Sequence, residues 1–274
     1  MNMGDIDFLI IGAAKSATTW LQKSLQADPA VCMPGPEIHY FSREYHRGDA
    51  WYLAQFPPLE RCRLVGEKSN SYLDCPDAAA RIHAALPHVK LVAQLRNPVE
   101  RAYSDYCMLY RRGEVSRDVE RHLDPRKAAS DRFLKNGMYY GQLRAYLEKY
   151  PADRLLILLY EDMKSAPAEH LARVRDFLGL PEATSPLPLQ DRVKDRTTAV
   201  IPPALKRCLG PFKPLVAPLR QTGIFRALRG VVARELKYPP LGEDLRARLV
   251  DFYAAETELL GKLMGRDLSA WLVC

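Results

Sequence analysis

Short apolar runs alternate with amphipathic stretches along most of the chain, and this alternation predicts an α/β fold. The clearest strand patterns, with one shorter candidate, cover residues 5–11, 89–95, 154–160 and 63–66. Helix patterns fall between and after them, several with Pro at the start or Gly at the end; they cover residues 18–26, 77–86, 98–111, 139–150 and 167–178. We therefore expect a single α/β domain over residues 1–274, with helical embellishments.

Residues 180–240 differ from the rest of the chain. They are rich in Pro, Gly and Arg and show weak periodicity, so we expect a loop-rich basic segment that covers part of the domain. A strongly periodic helix over residues 243–264 follows. Most of its apolar positions are expected to share one face, together with Glu256: Leu245, Leu249, Phe252, Tyr253, Leu259, Leu260 and Leu263.

The net charge of +7 is concentrated in this basic segment. Residues 202–240 contain eight Lys or Arg residues and a single anion, Glu235, so the remainder of the chain is neutral overall. A localised basic patch favours an anionic partner. Three interpretations stay open: a groove wall for an anionic glycan, an amphipathic segment in peripheral contact with an anionic membrane, or a solvated surface over the site. Nucleic acid is not expected, because aromatic residues are few there and no known binding module is present.

Composition and the amino-terminus exclude several classes of protein. Hydrophobic residues make up 47% and charged residues 27% of the chain, a balance unlike that of disordered or fibrous proteins. No apolar run approaches the ~18 residues of a membrane span. The apolar run at residues 8–11 follows two aspartates rather than a basic region, so we expect no signal peptide and a cytoplasmic location. The cysteines lack metal-ligand spacing and are expected to be free thiols: Cys32, Cys62, Cys75, Cys107, Cys208 and Cys274.

The loop after the first predicted strand has the composition of an anion-binding site. Residues 12–21 (GAAKSATTWL) pass from small residues, through a lysine and several hydroxyls, into a helix. Small side chains let the backbone approach an anion, and the N–H groups and dipole of a helix start favour negative charge there. Lys15 adds a full positive charge, and the hydroxyls of Ser16, Thr18 and Thr19 add hydrogen-bond donors.

This loop is not a Walker A motif, in which Gly, four further residues and then Gly-Lys-Ser/Thr are required. Lys15 comes only three residues after Gly12, and no glycine directly precedes it. The strand at residues 89–95 is followed by Arg96, where a Mg²⁺-binding acid would stand in that class. We therefore expect a phosphate ligand that is held by cations, and no metal.

Arg96 marks a second candidate anion site, at the carboxyl end of its predicted strand, where open α/β sheets bind ligands. Ser104 follows eight residues later, about two turns along the next helix. An arginine fork and a hydroxyl together suit a phosphate group. Both side chains are therefore expected to reach the same anion.

Together the two motifs resemble those of the sulfotransferases that use 3′-phosphoadenosine 5′-phosphosulfate (PAPS). Residues 12–21 resemble the 5′-phosphosulfate loop of that family, and residues 95–104 (LRNPVERAYS) resemble its 3′-phosphate motif, in the same order. Similarity continues through residues 136–143, 160–163 and 177–180, so it covers roughly residues 5–180. The resemblance implies a P-loop-type three-layer sandwich around a central parallel sheet, with PAPS as donor and adenosine 3′,5′-bisphosphate as product.

The resemblance also assigns residues to the cofactor. They are Gly12, Ala14, Lys15, Ser16, Ala17, Thr18, Thr19 and Trp20 in the loop, Arg96 and Ser104 at the 3′-phosphate, Tyr139, and Arg196 in a late basic loop. Trp20 offers a flat face for adenine. Ala17 stands where the family usually has Gly, a change that is costly if the backbone there adopts positive φ.

Residues 36–41 (PEIHYF) resemble an active-site segment of the heparan sulfate glucosaminyl sulfotransferases and their bacterial relatives. In that branch the glutamate is the catalytic base; Glu37 takes its position, and His39 takes that of the following histidine. Residues 66–73 (GEKSNSYL) resemble a second segment of the same branch. Its lysine lines the active site and is matched by Lys68, whereas Asn70 replaces the usual proline.

The resemblance implies in-line sulfuryl transfer to a hydroxyl or amine of a carbohydrate, a lipid or a small natural product. Glu37 would accept the proton of the acceptor, and Lys15 and Lys68 would stabilise charge on the sulfuryl oxygens and the leaving phosphate. His39 would orient the acceptor or support Glu37. The rival base, His88, directly precedes a predicted strand and so lies at the wrong end of a parallel sheet for this site.

Two other functions stay open at this stage. An ATP-dependent P-loop phosphotransferase would need the Walker glycine-lysine pair and the magnesium-binding acid that the motifs lack. A catalytically inactive nucleotide-binding adaptor, associated with a membrane, would not need Glu37, Lys15 and Lys68 together. Thermal stabilisation by adenosine 3′,5′-bisphosphate, compared with ATP and Mg²⁺, discriminates between the nucleotide classes.

Overall fold

The centre of the protein is a parallel sheet whose strands lie in the order β2-β3-β1-β4-β5. The computed structural model describes residues 1–58, 62–128, 132–181 and 236–273. The strands are β1 (Phe8–Gly12), β2 (Val31–Cys32), β3 (Leu64–Lys68), β4 (Lys90–Leu95) and β5 (Leu155–Leu159). After β3 the chain crosses to the other side of β1 to form β4. Such a reversal opens a crevice at the carboxyl ends of β1 and β4.

Helices connect the strands and cover both faces of the sheet. They are α1 (Thr18–Gln26), α2 (Gly48–Leu53), α3 (Ala78–Ala85), α4 (Pro98–Arg112), α5 (Val119–Leu123), α6 (Pro125–Ala128), α7 (Arg132–Lys135), α8 (Tyr139–Leu147), α9 (Tyr160–Ser165), α10 (Pro167–Leu178) and α11 (Glu243–Met264). Shorter 3₁₀ turns lie at Met3–Asp5, Tyr45–Arg47, Ala152–Arg154 and Ser269–Trp271, and one π-helical turn lies at Tyr40–Glu44.

Successive side chains of β1 enter different cores, because strand residues alternate between the two faces of a sheet. Phe8 and Ile10 pack in a cluster that also contains buried side chains of α1 and α10. Leu9 and Ile11 pack on the opposite face, in a cluster with side chains of α3 and α8. A third cluster joins α4 to α5, α7 and α11. The expected three-layer α/β sandwich is therefore confirmed.

The long elements agree with the predicted ones to within a few residues, and α1, α10 and α11 have the predicted bounds. The apolar face predicted for α11 is wrong at two positions: Leu259 is 39% and Leu263 is 37% exposed. Val250 and Thr257 are buried instead, because this helix packs against α4, α5 and α8 along a different stripe. The sequence pattern missed β2 and the short helical turns, which span too few residues to show a period.

Two of the cysteines expected to be free thiols are joined. Cys32 and Cys62 form a disulfide, with their Cα atoms 5.6 Å apart. The physical reason is the pairing of β2 with β3, which sets Cys32 level with Val65 and brings the chain before β3 alongside it. Among the described cysteines, Cys75 and Cys107 are not cross-linked.

Loss of this disulfide is expected to destabilise the protein. It closes a 30-residue segment of the unfolded chain, and a loop of that size corresponds to about 3–4 kcal/mol of unfolding free energy. Urea unfolding of Cys62→Ser checks this, with Cys75→Ser as the matched control. Equal midpoints for the two variants would show that the cross-link does not contribute to stability.

Most of the basic segment lies outside the described residues, which end at 181 and resume at 236. The expectation for Arg196, and the expectation for residues 202–240 as a glycan or membrane surface except at 236–240, therefore lie outside the described residues. Within the described ranges, none of the helices combines the length and the apolar character needed to cross a bilayer.

Candidate active site

The predicted site residues gather at the carboxyl edge of the sheet. Lys15 lies in the loop after β1, Lys68 ends β3, and Arg96 directly follows β4. Glu37 lies in the segment that follows β2 and reaches the end of β3, where its carboxylate contacts Lys68. Because the carboxyl ends of parallel strands meet at one edge, side chains from four separate loops converge there.

The loop between β1 and α1 is held by Gln94 of β4. The Ala13 N–H donates to the Gln94 carbonyl at 2.8 Å, and the Gln94 side-chain amide donates to the Ser16 carbonyl. Lys15 and Ala17 both adopt left-handed backbone conformations, with φ of 74° and 62°. These turns lead the chain into the first turn of α1, whose N–H groups open toward the loop.

The positive φ of Ala17 gives a prediction about stability. A left-handed conformation costs an L-residue about 1 kcal/mol that glycine does not pay. Ala17→Gly is therefore expected to raise the unfolding free energy by about 1 kcal/mol. Urea unfolding measures the change. Ala14→Gly, at a position without positive φ, is the control and should not stabilise; an equal gain in both variants would contradict the strain argument.

Arg96 joins the two predicted anion motifs. Its Nη1 lies 3.5 Å from the Lys15 carbonyl oxygen, and its Nη2 lies 3.5 Å from a carboxylate oxygen of Glu100. Its guanidinium carbon lies 4.6 Å from the centre of the Tyr160 ring, which orients the plane of the fork. The Lys15 loop and Arg96 therefore border one crevice.

The helix that follows Arg96 begins at a clear cap. The side-chain oxygen of Asn97 accepts the N–H groups of Val99 and Glu100, and Pro98 occupies the first turn. This start fixes where Arg96 leaves the strand. Ser104 lies on the same helix and is 9% exposed, so little of its side chain is open to solvent.

Two residues assigned to the cofactor are largely covered by protein. Tyr139 is 1% exposed, and its hydroxyl donates to the Arg96 carbonyl at 2.9 Å. This hydrogen bond helps to fix the backbone of Arg96. Trp20 is buried in the α1–α10 core with its ring edge-on to His170. The hydroxyl of Thr18 is likewise engaged and donates to the Asn70 side chain at 2.6 Å.

Lys68 connects the loop to the predicted base. Its Nζ donates to Glu37 Oε1 at 2.6 Å and to Thr19 Oγ1 at 3.3 Å, and its side chain is only 2% exposed. One buried ammonium group therefore contacts Thr19, in the first turn of α1, and the candidate base Glu37.

Asn70 is a site residue that sequence reasoning missed. Its backbone N–H and its side-chain amide donate to the two carboxylate oxygens of Glu37, each at 3.1 Å. The signal was a polar side chain, two residues after Lys68, in place of the usual proline. Asn70 and Lys68 together fix the orientation of the Glu37 carboxylate.

His39 lies beside Glu37, with its Nε2 3.6 Å from Glu37 Oε2. Its Nδ1 lies 2.7 Å from the hydroxyl of Ser71, which in turn contacts the hydroxyl of Ser42 at 2.6 Å. The backbone of His39 is left-handed, with φ of 57°, and its N–H donates to Ser69 Oγ at 2.8 Å. The imidazole is therefore held from both ends.

The protonation states of this pair follow from burial and charge. Burial raises the pKa of Glu37, but the Lys68 ammonium and the Asn70 N–H outweigh it, so the pKa is below its usual value of 4.5. Burial lowers the pKa of His39 below its usual value of 6.5, an effect that the Glu37 carboxylate only partly offsets. At neutral pH Glu37 is ionised and His39 is uncharged.

The structure places His88 at the opposite edge of the sheet. It lines a depression of about 230 Å³ together with Lys90 and Arg154, at the amino ends of the strands. The Lys68–Glu37 cluster is at the carboxyl ends. His88 therefore does not belong to the site.

A parallel sheet with a cationic loop after its central strand, and an arginine after the next, is an α/β arrangement that suits an anionic ligand at the carboxyl edge. The chain belongs to the sulfotransferase domain family, whose profile matches residues 5–198. This confirms the resemblance found in the sequence.

The chain is similar in sequence to two kinds of sulfotransferase and in structure to a solved sulfotransferase. Heparan sulfate glucosamine 3-O-sulfotransferase 3B1 of Mus musculus is 30% identical over 264 residues, covering 94% of this chain and 63% of that protein. Bifunctional heparan sulfate N-deacetylase/N-sulfotransferase 1 of Caenorhabditis briggsae is 32% identical over 197 residues, 64% of this chain and 23% of that protein. A sulfotransferase crystal structure from Alicyclobacillus acidocaldarius superimposes with a TM-score of 0.70 at 25% identity, covering 97% of this chain and 98% of that one. The chain thus spans less than two thirds of the first two relatives.

Proposed function

We propose that the protein transfers the sulfuryl group of PAPS to a hydroxyl or amine of an acceptor, with Glu37 as the general base. The observation that carries the proposal is the position of Lys68, whose ammonium contacts both Thr19 and Glu37. A donor bound at the loop and an acceptor bound at Glu37 would then meet at one cation. That geometry suits in-line transfer, which needs both reactants aligned.

The donor set at the crevice fits a doubly phosphorylated nucleotide. Lys15 and the loop around it would hold the 5′-phosphosulfate, and Arg96 with Ser104 would hold the 3′-phosphate. The hydroxyl of Ser16 is buried inside the loop, where it can donate to an anion. When bound, PAPS supplies the sulfuryl group and leaves as adenosine 3′,5′-bisphosphate. Positive charge for the transfer comes from Lys15, Lys68 and Arg96, and the proposal requires no metal.

Glu37 and Lys68 have complementary tasks. The ionised carboxylate of Glu37 accepts the acceptor proton, and the Lys68 ammonium stabilises negative charge at the donor. Their ion pair of 2.6 Å keeps the pKa of Glu37 low. When Lys68 turns toward an anionic ligand, that restraint weakens, the pKa of Glu37 rises, and the carboxylate becomes a stronger base. Ligand entry thereby activates the base.

For the acceptor we propose a carbohydrate that carries negative charge. Arg43 is exposed and close enough to His39 to lower its pKa. Tyr45 lies further along the same segment and is 40% exposed. The guanidinium of Arg81, on α3, lies 4.6 Å from the centre of the Tyr45 ring. Cations beside an exposed aromatic face suit an anionic sugar, and two of the relatives carry heparan sulfate in their names.

The other candidate functions are less well supported. Arg96 occupies the place of the magnesium-binding acid of an ATP-dependent phosphotransferase. The ordered contacts among Glu37, Lys68 and Asn70 have no purpose in an inactive adaptor at a membrane. The cytoplasmic location, with residues 202–240 against a membrane, stays a prediction. The Cys32–Cys62 disulfide counts against it, because disulfides persist mainly in oxidising compartments.

Two linked measurements test this function. Adenosine 3′,5′-bisphosphate should raise the melting temperature, whereas ATP with Mg²⁺ should raise it less. Radiolabelled PAPS should then label an anionic glycan, such as heparan sulfate or its N-desulfated form, in preference to lipid or small phenolic acceptors. Stabilisation by ATP and Mg²⁺ alone would contradict the proposal, and labelling of lipid or phenol alone would contradict the acceptor class.

A further inference from the structure

Glu67 is a buried carboxyl group that the proposed mechanism does not use. It lies on β3 beside Lys68, and its side chain is 0% exposed. Ser69 Oγ donates to Glu67 Oε2 at 3.3 Å, and Ser69 Oγ itself accepts the backbone N–H of His39 at 2.8 Å. A short chain of hydrogen bonds therefore runs from a fully buried acid to the backbone of a predicted active-site residue.

We propose that Glu67 and Ser69 are positioning residues, which hold His39 in its left-handed conformation through these hydrogen bonds. The inference rests on the proposed function, because it assigns His39 the task of supporting Glu37. It concerns two residues, Glu67 and Ser69, to which the proposed mechanism assigns no role.

The conformation of His39 is what needs support. A left-handed backbone costs an L-residue free energy and persists only where its surroundings fix it. The bond from the His39 N–H to Ser69 supplies that restraint, and the bond from Ser69 to Glu67 orients the serine hydroxyl so that its lone pair faces the N–H. If the N–H is released, the backbone can relax and the imidazole loses its 3.6 Å approach to Glu37.

The neutral form of Glu67 follows from the groups around it. Burial, with a smaller contribution from the Glu37 carboxylate, raises its pKa to about 8, although Tyr72, Ser69 and Lys68 act in the opposite direction. The Tyr52 hydroxyl, on α2, also faces the carboxyl. The hydroxyls of Ser69 and Tyr72 contact the carboxyl, and neither carries a charge that would balance an ionised Glu67.

Neutrality also protects the catalytic ion pair. An ionised Glu67 would place a second carboxylate beside Lys68, which would then divide its attraction between two acids. With Glu67 protonated, the ammonium pairs with Glu37 alone at 2.6 Å. Ionisation of Glu67 at alkaline pH would hold the Lys68 ammonium back from the donor, whose negative charge it stabilises in the proposed mechanism. Activity is therefore expected to fall as the pH passes about 8.

Three variants of the full chain test the inference. Ser69→Ala removes the link to His39 and is expected to lower kcat about tenfold, the value of one hydrogen bond of about 1.5 kcal/mol. Its affinity for adenosine 3′,5′-bisphosphate should stay unchanged. Ser24→Ala is the matched control, because Ser24 is equally buried and its hydroxyl has no partner among the described residues. Circular dichroism establishes that each variant is folded.

Glu67→Gln tests whether a neutral side chain at this position is sufficient to hold Ser69 and His39. Its amide imitates a neutral carboxyl, so kcat at pH 7 should stay within about threefold of the wild type, and the alkaline loss of activity near pH 8 should disappear. Because the pKa of Glu67 is higher in the folded protein than in the unfolded chain, wild-type stability falls as the pH rises from about 4.5 to about 8. The stability advantage of Glu67→Gln should therefore grow from pH 5 to pH 8.

A wild-type kcat in Ser69→Ala would overturn the inference, as would an alkaline limb that persists in Glu67→Gln. These outcomes are distinct from a failure of the proposed function. If adenosine 3′,5′-bisphosphate binds and Glu37→Gln is inactive, the sulfotransferase assignment stands and only the positioning role is lost. If the nucleotide does not bind, the proposed function itself is wrong.

Discussion

Glu37→Gln is expected to lower kcat by about 10²–10⁴-fold, the contribution of a positioned general base. The amide keeps the shape and, through its single oxygen, one of the two contacts with Asn70, but it cannot accept the acceptor proton. Affinity for adenosine 3′,5′-bisphosphate should be retained, because the substitution removes a carboxylate that competes with the ligand for Lys68. Single-turnover rates with labelled PAPS, together with calorimetric binding of the product nucleotide, measure the two quantities separately.

Glu44→Gln is the matched control for this variant. Glu44 lies on the same segment and pairs with Arg47, 3.7 Å apart. It is expected to behave as the wild type in both measurements. Full turnover by Glu37→Gln would reject Glu37 as the base and would direct attention to His39, the other proton acceptor of the cluster.

Lys68→Ala is expected to lower kcat by about 10²–10³-fold, because it removes the cation that stabilises charge in the transition state. It should also move the acid limb of the kcat/KM profile to higher pH. The ammonium is the main group that holds the pKa of Glu37 down, so its loss raises that pKa and the base is protonated at a higher pH. A pH–rate profile of the variant against the wild type measures both effects.

Lys90→Ala controls for the loss of a partly buried lysine. Its Nζ donates to the Phe177 carbonyl at 2.7 Å, at the opposite edge of the sheet. Stability should fall in this variant while kcat and the acid limb stay unchanged. An acid limb that does not move in Lys68→Ala would contradict the direct coupling between the ammonium and the Glu37 carboxylate.

The parts of the site that local sequence predicts are those built from one continuous segment. The loop after β1 combines a buried strand, small residues and a helix start, and Asn97 and Pro98 mark the start of α4 after Arg96. Each signal lies within about ten residues, where backbone preferences and capping act directly. The order of the two motifs then places both at the carboxyl edge of a parallel sheet.

The parts that escaped prediction depend on contacts between distant segments. Asn70 reaches Glu37 across 33 positions, and Ser69 reaches His39 across 30. Such pairs form only when the chain after β2 folds back over the end of β3. The same holds for Cys32 and Cys62, whose pairing follows from the register of two strands, one of them only two residues long.

The position of Glu37 itself came from family resemblance and not from periodicity. The segment after β2 contains a π-helical turn and a 3₁₀ turn, Tyr40–Glu44 and Tyr45–Arg47, which have no clear sequence signature. Stacked and edge-on aromatic rings hold this segment, including Tyr40 and Tyr52 with centroids 4.5 Å apart. Tertiary packing therefore decides where the predicted base lies.

A crystal structure of the protein with adenosine 3′,5′-bisphosphate would show whether both phosphates bind at the carboxyl edge of the sheet. We expect the 5′-phosphate within hydrogen-bond distance of Lys15 and the N–H groups at the start of α1, and the 3′-phosphate on Arg96 and Ser104. Lys68 should lie between the 5′-phosphate and Glu37. A nucleotide bound at the amino edge of the sheet, or one whose two phosphates contact neither Lys15 nor Arg96, would contradict this expectation.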